Sequence, residues 1–268
     1  MKVVLFCGGQ GLRIRDENSA IPKPMITVGY RPILWHIMRY YASFGHKDFI
    51  LCLGHRGDVI KRYFLEYDET VSNDFVLQGA ARRVDLLGSD IDDWRITFVD
   101  TGTAANIGQR LKAVQPHLAG EAVFFANYSD GVTDMPLPDQ VAAFERAKAV
   151  GSFLAAQAPS TLHVASYAPD GIVTSFGPMT DAGLRVNAGY FVFRQEIFDY
   201  MQPGEELVAE PFQRLIAAGK LLAYPYSGFW APMDTFKDRQ ALEDMYNSGE
   251  APWMVWREGD PTGPDGAA

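Results

Sequence analysis

The chain has 268 residues, a net charge of −9, 47% apolar residues and 21% charged ones. That is the composition of an ordinary globular protein, long enough for one large α/β domain with a sizeable core. The acidic excess argues against a broad basic surface that grips nucleic acid, although a few local cations and one metal suffice to neutralise a single bound triphosphate.

Residues 2–6 form a compact apolar run stopped by Gly8-Gly9, which predicts a buried strand feeding a loop. The run is too short for a signal peptide, and no apolar segment is long enough to cross a membrane. Pro32 opens a helix in which Ile33, Leu34, Ile37, Met38 and Tyr41 recur at helical spacing. Residues 48–53 read as a second strand, ended by Gly54. Val59, Ile60, Tyr63, Phe64 and Tyr67 mark a second helix. The two cysteines, Cys7 and Cys52, lie in or beside these apolar runs and are read as buried free thiols, which fits a reducing cytoplasm. Strands are expected at 95–99 and 122–126, with a helix at 107–114 between them. This alternation is that of a mixed, mainly parallel α/β sheet flanked by helices. Such sheets bind ligands at the carboxyl ends of their strands. The loops after Phe6 and Ala126 should therefore face one crevice.

The second half differs. Residues 152–157, 162–167, 171–176 and 189–193 are strand-like, with a turn signal at Pro169-Asp170-Gly171. They predict a mixed or antiparallel extension of the sheet. A helix at 210–218 ends at Gly219, and a strand at 221–226 and a final helix at 236–247 follow. Residues 257–268, rich in Gly, Pro and Asp, are expected to be disordered.

Four segments carry chemistry. Gly8-Gly9-Gln10-Gly11-Leu12-Arg13 follows the first strand; glycines let backbone amides approach phosphate oxygens, and Arg13 adds a donor fork. A plain tight turn is the alternative. A Walker A loop is absent, and a Rossmann fingerprint fails at Ile14. In Pro22-Lys23-Pro24-Met25 two prolines stiffen the backbone around one lysine, which suits either phosphate binding or a solvated turn. Asn127-Tyr128-Ser129-Asp130-Gly131 places a carboxylate at a strand end, either a hard-oxygen ligand for Mg2+ or an Asx turn or helix cap. Asp234 either caps the final helix or supplies a second carboxylate. Trp230 either stacks on a flat or sugar ring or is a core aromatic.

In combination these motifs resemble the sugar-1-phosphate nucleotidyltransferases. Gly8-Gly9-x-Gly11-x-Arg13, Pro22-Lys23-Pro24-Met25 and Pro32-Ile33-Leu34-Trp35-His36-Ile37 carry the resemblance. Within that superfamily the chain is similar to the glucose-1-phosphate cytidylyltransferases through Val99-Asp100-Thr101-Gly102, Gly108-Gln109-Arg110-Leu111-Lys112, Asp130-Gly131-Val132, the run from Gly228 to Thr235, and Ala251-Pro252-Trp253. The resemblance covers nearly the whole chain up to Trp256. It implies a fold of the nucleotide-diphospho-sugar transferase type, one domain over 1–256, with a nucleotide-binding half (1–150) and an acceptor-binding half (151–256). It implies that Gly8, Gly9, Gly11 and Arg13 hold the phosphates of CTP with help from Lys23. It places Gly108 and Arg110 near the base and ribose, Asp130 and Asp234 on a shared Mg2+, and Asn187 on the sugar. Arg13, Lys23 and Asp130 are the residues expected to carry catalysis. The implied reaction is CMP transfer from CTP to a sugar 1-phosphate, with release of pyrophosphate.

The acceptor half departs from the family. Its Glu-Lys-Pro motif is replaced by Phe176-Gly177-Pro178-Met179-Thr180, and Thr161-Leu162-His163-Val164 stands where Gly-Arg-Phe-Gly is usual. Arg185 either replaces the lost phosphate cation or is a surface strand charge, and His163 either lines the altered pocket, beside Asn187 and Trp230, or is a half-buried strand residue. Two other readings are a cytidylyltransferase acting on a non-hexose phosphate or phosphonate, and an inactive CTP-binding regulator. The family resemblance also implies a homo-oligomer; the final helix and the Ala251-Pro252-Trp253 segment, with Trp253 and Trp256 read as exposed, offer contact surface.

Overall fold

The computed structural model describes residues 1–9, 21–80, 82–157 and 163–258. Gly11, Arg13 and most of the segment expected to be a disordered tail lie outside the described residues. Arg257 and Glu258, assigned by sequence to that tail, instead finish a 3-10 turn, Val255–Glu258.

In chain order the strands and helices are β1 (Val3–Phe6), β2 (Thr27–Val28), β3 (Arg31–Pro32), α1 (Ile33–Ser43), β4 (Asp48–Leu53), α2 (Gly57–Leu65), β5 (Phe75–Gln78), β6 (Arg83–Leu86), β7 (Arg95–Asp100), α3 (Ile107–Val114), β8 (Val123–Asn127), β9 (Gly131–Thr133) and α4 (Leu137–Ala147). There follow β10 (Gly151–Gln157), β11 (His163–Tyr167), β12 (Val173–Pro178), β13 (Arg185–Asn187), β14 (Phe191–Arg194), α5 (Glu210–Ala217), β15 (Leu221–Tyr226), β16 (Trp230–Pro232) and α6 (Phe236–Asn247).

The central sheet runs β15, β10, then β13 and β14 end to end, then β8, β1, β4, β7. Neighbours among β8, β1, β4 and β7 are parallel, as are β10 and β15, whereas β14 runs antiparallel to both β8 and β10. The mixed, mainly parallel architecture expected from the sequence is present. All four residues of β1 are buried, as a strand covered on both faces requires. Val3, Leu5, Phe49 and Leu51 face one core cluster with α1, while Val4, Phe6, Ile50 and Cys52 face the other with α3 and α5. Cys7 and Cys52 are buried free thiols. No helix among the described residues is long and apolar enough to cross a membrane.

Helix α1 is buried nearly all round. Its outer side is closed by residues 251–256: Trp253 is buried and its indole Nε1 donates to His36 Nδ1 at 3.3 Å. Since Nδ1 accepts, the imidazole proton sits on Nε2, which faces the Val28 carbonyl at 2.9 Å. Trp253 is therefore core, not the exposed contact surface expected from its place near the chain end.

Two of the hairpins outside the central sheet carry exposed apolar residues. β5 and β6 pair so that Phe75, Leu77, Val84 and Leu86 share one face, all exposed. The opposite face carries Val76, Gln78, Arg83 and Asp85. β11 and β12 form the second hairpin, with Tyr167, Val173 and Phe176 exposed. The extension expected at 162–176 is thus a separate ribbon; only β10, β13 and β14 join the sheet as antiparallel neighbours.

Candidate active site

The loops after β1, β4, β7 and β8 meet at the carboxyl edge of the parallel strands. One side chain ties three of them. Arg110, on α3, is 2% exposed. Its guanidinium donates to the carbonyls of Gly8 (3.0 Å), Leu53 (3.1 Å) and Gly102 (3.0 Å), and to Thr101 Oγ1 (2.7 Å). A Cβ at Gly8 would lie 2.0 Å from Arg110 Nη1, so the glycine is required by close approach of the guanidinium. Gly54 is held to glycine in the same way: its Cβ would meet Arg110 Nη1 at 2.8 Å and the Gly8 carbonyl oxygen at 2.9 Å. Gly9, by contrast, is exposed and has open space beside it. Gly108 packs against residues 205–207, where a Cβ would stand 2.2 Å from the Glu205 carbonyl oxygen.

The second cluster is ionic. Lys23 opens a short 3-10 turn, Lys23–Met25, set by the flanking prolines. Its Nζ lies 2.8 Å from Asp130 Oδ2 and 2.5 Å from Asp234 Oδ1. The lysine side chain is 12% exposed, and the two carboxylates are 35% and 41% exposed. Burial works against the ammonium, but Asp130 and then Asp234 outweigh it, so the Lys23 pKa is raised and the group stays cationic. Asp130 is also shifted up, by burial and by the Asp234 charge, against the opposing pull of Lys23.

Local chemistry explains why both aspartates are free to face the lysine. The Asx turn after β8 is made by Asn127, whose Oδ1 accepts from Ser129 N at 2.9 Å. Ser129 takes a left-handed conformation (φ 66°), uncommon for a non-glycine residue, and aims the next residue into the crevice. The N-cap of α6 is Thr235, in a capping box with Asp238. Asp238 also accepts from the Asp234 amide at 3.0 Å. Asp234 thus does not cap α6 itself. The two carboxylates are brought together by the pairing of β9 with β16, and Met233 N donates to the Asp130 carbonyl at 2.8 Å.

The acceptor-side candidates are more scattered. Asn187 Nδ2 donates to Tyr128 Oη at 3.0 Å, which links β13 to the loop of Asp130. Arg185 donates to the carbonyls of Ala155 (3.1 Å) and Tyr226, and to Ser227 Oγ (3.0 Å). Its guanidinium therefore fastens the ends of β10 and β15. His163 stacks on Phe176 across the second hairpin, with ring centroids 5.2 Å apart. Trp230, on β16, is half-buried opposite Thr133, and its Nε1 is buried without a hydrogen-bond partner.

Comparison with known proteins places this geometry. Residues 2–239 match the nucleotidyl transferase family. The chain is 37% identical to the glucose-1-phosphate cytidylyltransferase of Salmonella typhi over 259 residues, spanning 96% of this chain and all of the relative. It is 33% identical to the probable glucose-1-phosphate cytidylyltransferase of Bacillus subtilis (strain 168), again over 96% of this chain and all of the relative. Among solved structures, the UTP-bound UGPase of Acinetobacter baumannii superposes with a TM-score of 0.66 at 17% identity, covering 91% of this chain and 92% of that one. A putative glucose-1-phosphate thymidylyltransferase from Bacillus anthracis gives 0.64 at 16% identity, covering 91% and 94%. These last two bear on the fold alone. Full-length similarity and a family match over most of the chain agree: the protein belongs to the nucleotidyl transferase family, in the branch of the glucose-1-phosphate cytidylyltransferases, and is a nucleotidyltransferase.

Proposed function

We propose that this enzyme transfers CMP from CTP to glucose 1-phosphate or a closely related sugar 1-phosphate, releasing pyrophosphate and forming a CDP-sugar. The observation that carries the reading is the convergence of Lys23, Asp130 and Asp234 beside the glycine loop. The reaction needs no enzyme nucleophile. A phosphate oxygen of the acceptor forms a bond to the α-phosphorus of CTP while the bond from that phosphorus to the bridging oxygen breaks, and pyrophosphate leaves with the electron pair. The enzyme must align two anions that repel and offset the charge of the transition state.

Gly8 and Gly9, continued by Gly11 and Arg13, hold the CTP phosphates through backbone amides and a guanidinium. Lys23 neutralises charge at the α-phosphate. Arg110 sets the shape of the glycine loop and of the loop after β7, and Gly108 lets α3 pack close behind them. Asn187, Trp230 and His163 line the acceptor half, and Arg185 shapes it. The chain works as one domain, with these two halves meeting where β14 pairs with β8.

Two carboxylates within reach of one cation form a hard-oxygen donor pair of the kind Mg2+ takes, with water and substrate phosphates completing its shell. Asp130 and Asp234 would hold it. When bound, the ion would neutralise phosphate charge and orient the α-phosphate for in-line attack.

The replacement of Glu-Lys-Pro by residues 176–180, together with the prior engagement of Arg185, favours one second reading: the same transfer to a different phosphorylated acceptor. Pyrophosphate release measured with CTP, UTP, dTTP and ATP against a panel of phosphorylated acceptors tests both. Turnover with CTP and glucose 1-phosphate is expected. CTP-dependent turnover with another acceptor alone would establish the second reading, and no turnover at all would sink both.

The enzyme is further proposed to be a homo-oligomer in a reducing cytoplasm, in keeping with its two buried free thiols. A lone two-stranded hairpin is marginal in water, and the uncharged face of Phe75, Leu77, Val84 and Leu86 suits cover by a second copy. Leu77→Glu is expected to shift the sedimentation profile toward monomer; an unchanged profile would exclude this face.

A further inference from the structure

The ionic cluster contains more than a list of ligands. Lys23 Nζ already bridges Asp130 and Asp234 as a cation would, touching one oxygen of each, at 2.8 Å and 2.5 Å. Mg2+ binds carboxylate oxygens at about 2.1 Å, so an ion on the same two oxygens would sit within hydrogen-bonding distance of the ammonium. Two cations so close, in a partly buried crevice, repel strongly. One of them has to leave.

Lys23 is built to leave. Its backbone is fixed by Pro22 and Pro24, with Met25 N bonded to the Pro22 carbonyl at 2.8 Å, while its unbranched four-carbon stem can reach other rotamers once the ion pairs are released. The open, exposed Gly9 loop, where the nucleotide phosphates are placed above, offers the ammonium a new anion.

We propose that Lys23 and the divalent metal exchange places: in the nucleotide-free enzyme the Lys23 ammonium bridges Asp130 and Asp234, and metal entry releases it onto the triphosphate. Lys23 is then a built-in competitor of the metal. Metal and nucleotide bind cooperatively, since the triphosphate stabilises the released lysine and the released lysine frees the carboxylates, and the coupling is reciprocal. This inference rests on the proposed nucleotidyl transfer and its metal site.

The test is Mn2+ binding to nucleotide-free protein, followed by electron paramagnetic resonance of the free ion, for wild type and Lys23→Met, with thermal melting to check that the variant is folded. The variant is expected to bind one Mn2+ about tenfold or more tightly than wild type. Added CTP should tighten Mn2+ binding to wild type far more than to the variant. Asp234→Asn in the Lys23→Met background should abolish the gain. Equal, measurable Mn2+ affinity in wild type and Lys23→Met would overturn the exchange while leaving the metal site standing. Failure of both proteins to bind Mn2+ even with CTP would instead remove the metal site itself, and the exchange with it. Crystals of wild type soaked in Mn2+ separate displacement from a mere change of charge: the exchange requires Nζ to have left both carboxylates, and an anomalous peak with both ion pairs intact would refute it.

Discussion

The two halves of the crevice are built on different principles. On the nucleotide side a buried arginine and a lysine–carboxylate cluster join loops from four parallel strands, and the contacts are short and mutually dependent. On the acceptor side Arg185, Asn187 and His163 sit on short strands, exposed, with partners chiefly on neighbouring strands of the same region. A triphosphate demands dense, preorganised charge, so that wall tolerates little change. The acceptor wall, on a two-stranded ribbon and a three-residue strand, accommodates substitution without dismantling the sheet. This matches the pattern in the sequence, where family motifs persist on one side and are rewritten on the other.

That contrast can be broken or sharpened by experiment. The largest effect is expected for Asp234→Asn, which removes a carboxylate from the ionic cluster: kcat for pyrophosphate release should fall on the order of 10²–10³ with the fold intact. A fall of less than tenfold would show that the cluster is not the centre of charge stabilisation.

Next is His36, held between the Val28 carbonyl and the Trp253 indole. Burial lowers its pKa from 6.5 to about 4, and its Nδ1 already accepts the Trp253 proton. Because the folded value lies below the unfolded one, its stabilising contribution is complete above pH 6.5 and is lost as pH falls toward 4. The loss should reach on the order of 3 kcal/mol. Denaturant melts of wild type and His36→Gln between pH 7 and 4 measure it: the wild-type slope should flatten in the variant, and parallel slopes would exclude His36 as the source.

Gly8→Ala pushes a methyl into the Arg110 guanidinium. Overpacking of this kind costs about 1–3 kcal/mol and should raise the KM for CTP more than that for the acceptor. An equal rise in both would mean that the two walls are coupled. The smallest effect is expected for Arg185→Ala, which loses exposed hydrogen bonds worth about 1 kcal/mol and lowers Tm by a few degrees. A tenfold or greater rise in acceptor KM with CTP KM unchanged would instead make Arg185 the phosphate-binding cation.

The central strands were legible because β1, β4 and β8 are local apolar runs ended by glycine or a polar turn, and α1 follows a proline with helical spacing. Short pairings were not. β9 and β16 have three residues each and carry no periodicity, yet they bring Asp130 and Asp234 together; that convergence was implied only by family resemblance. Nor did the sequence show that Asn127 and Thr235 take over the turn and cap assigned as alternatives to the two aspartates. The direction of Arg110 had one faint signal, the glycines at 8, 54 and 102 that converge around its head. The β5–β6 hairpin went unread because each strand has only four residues and Phe75-Val76-Leu77-Gln78 shows no alternation. Trp253 misled because a tryptophan beyond the last helix looks peripheral until α1 is seen to lack an outer cover.

That last contact has a consequence for how the molecule is made. Helix α1 leaves the ribosome before the indole that accompanies His36, which follows 217 positions later. Until then Trp35, His36 and their neighbours lack that cover on a nascent chain, and the helix most deeply enclosed in the finished enzyme waits for it. Synthesis, not only sequence, sets the moment at which this fold becomes complete.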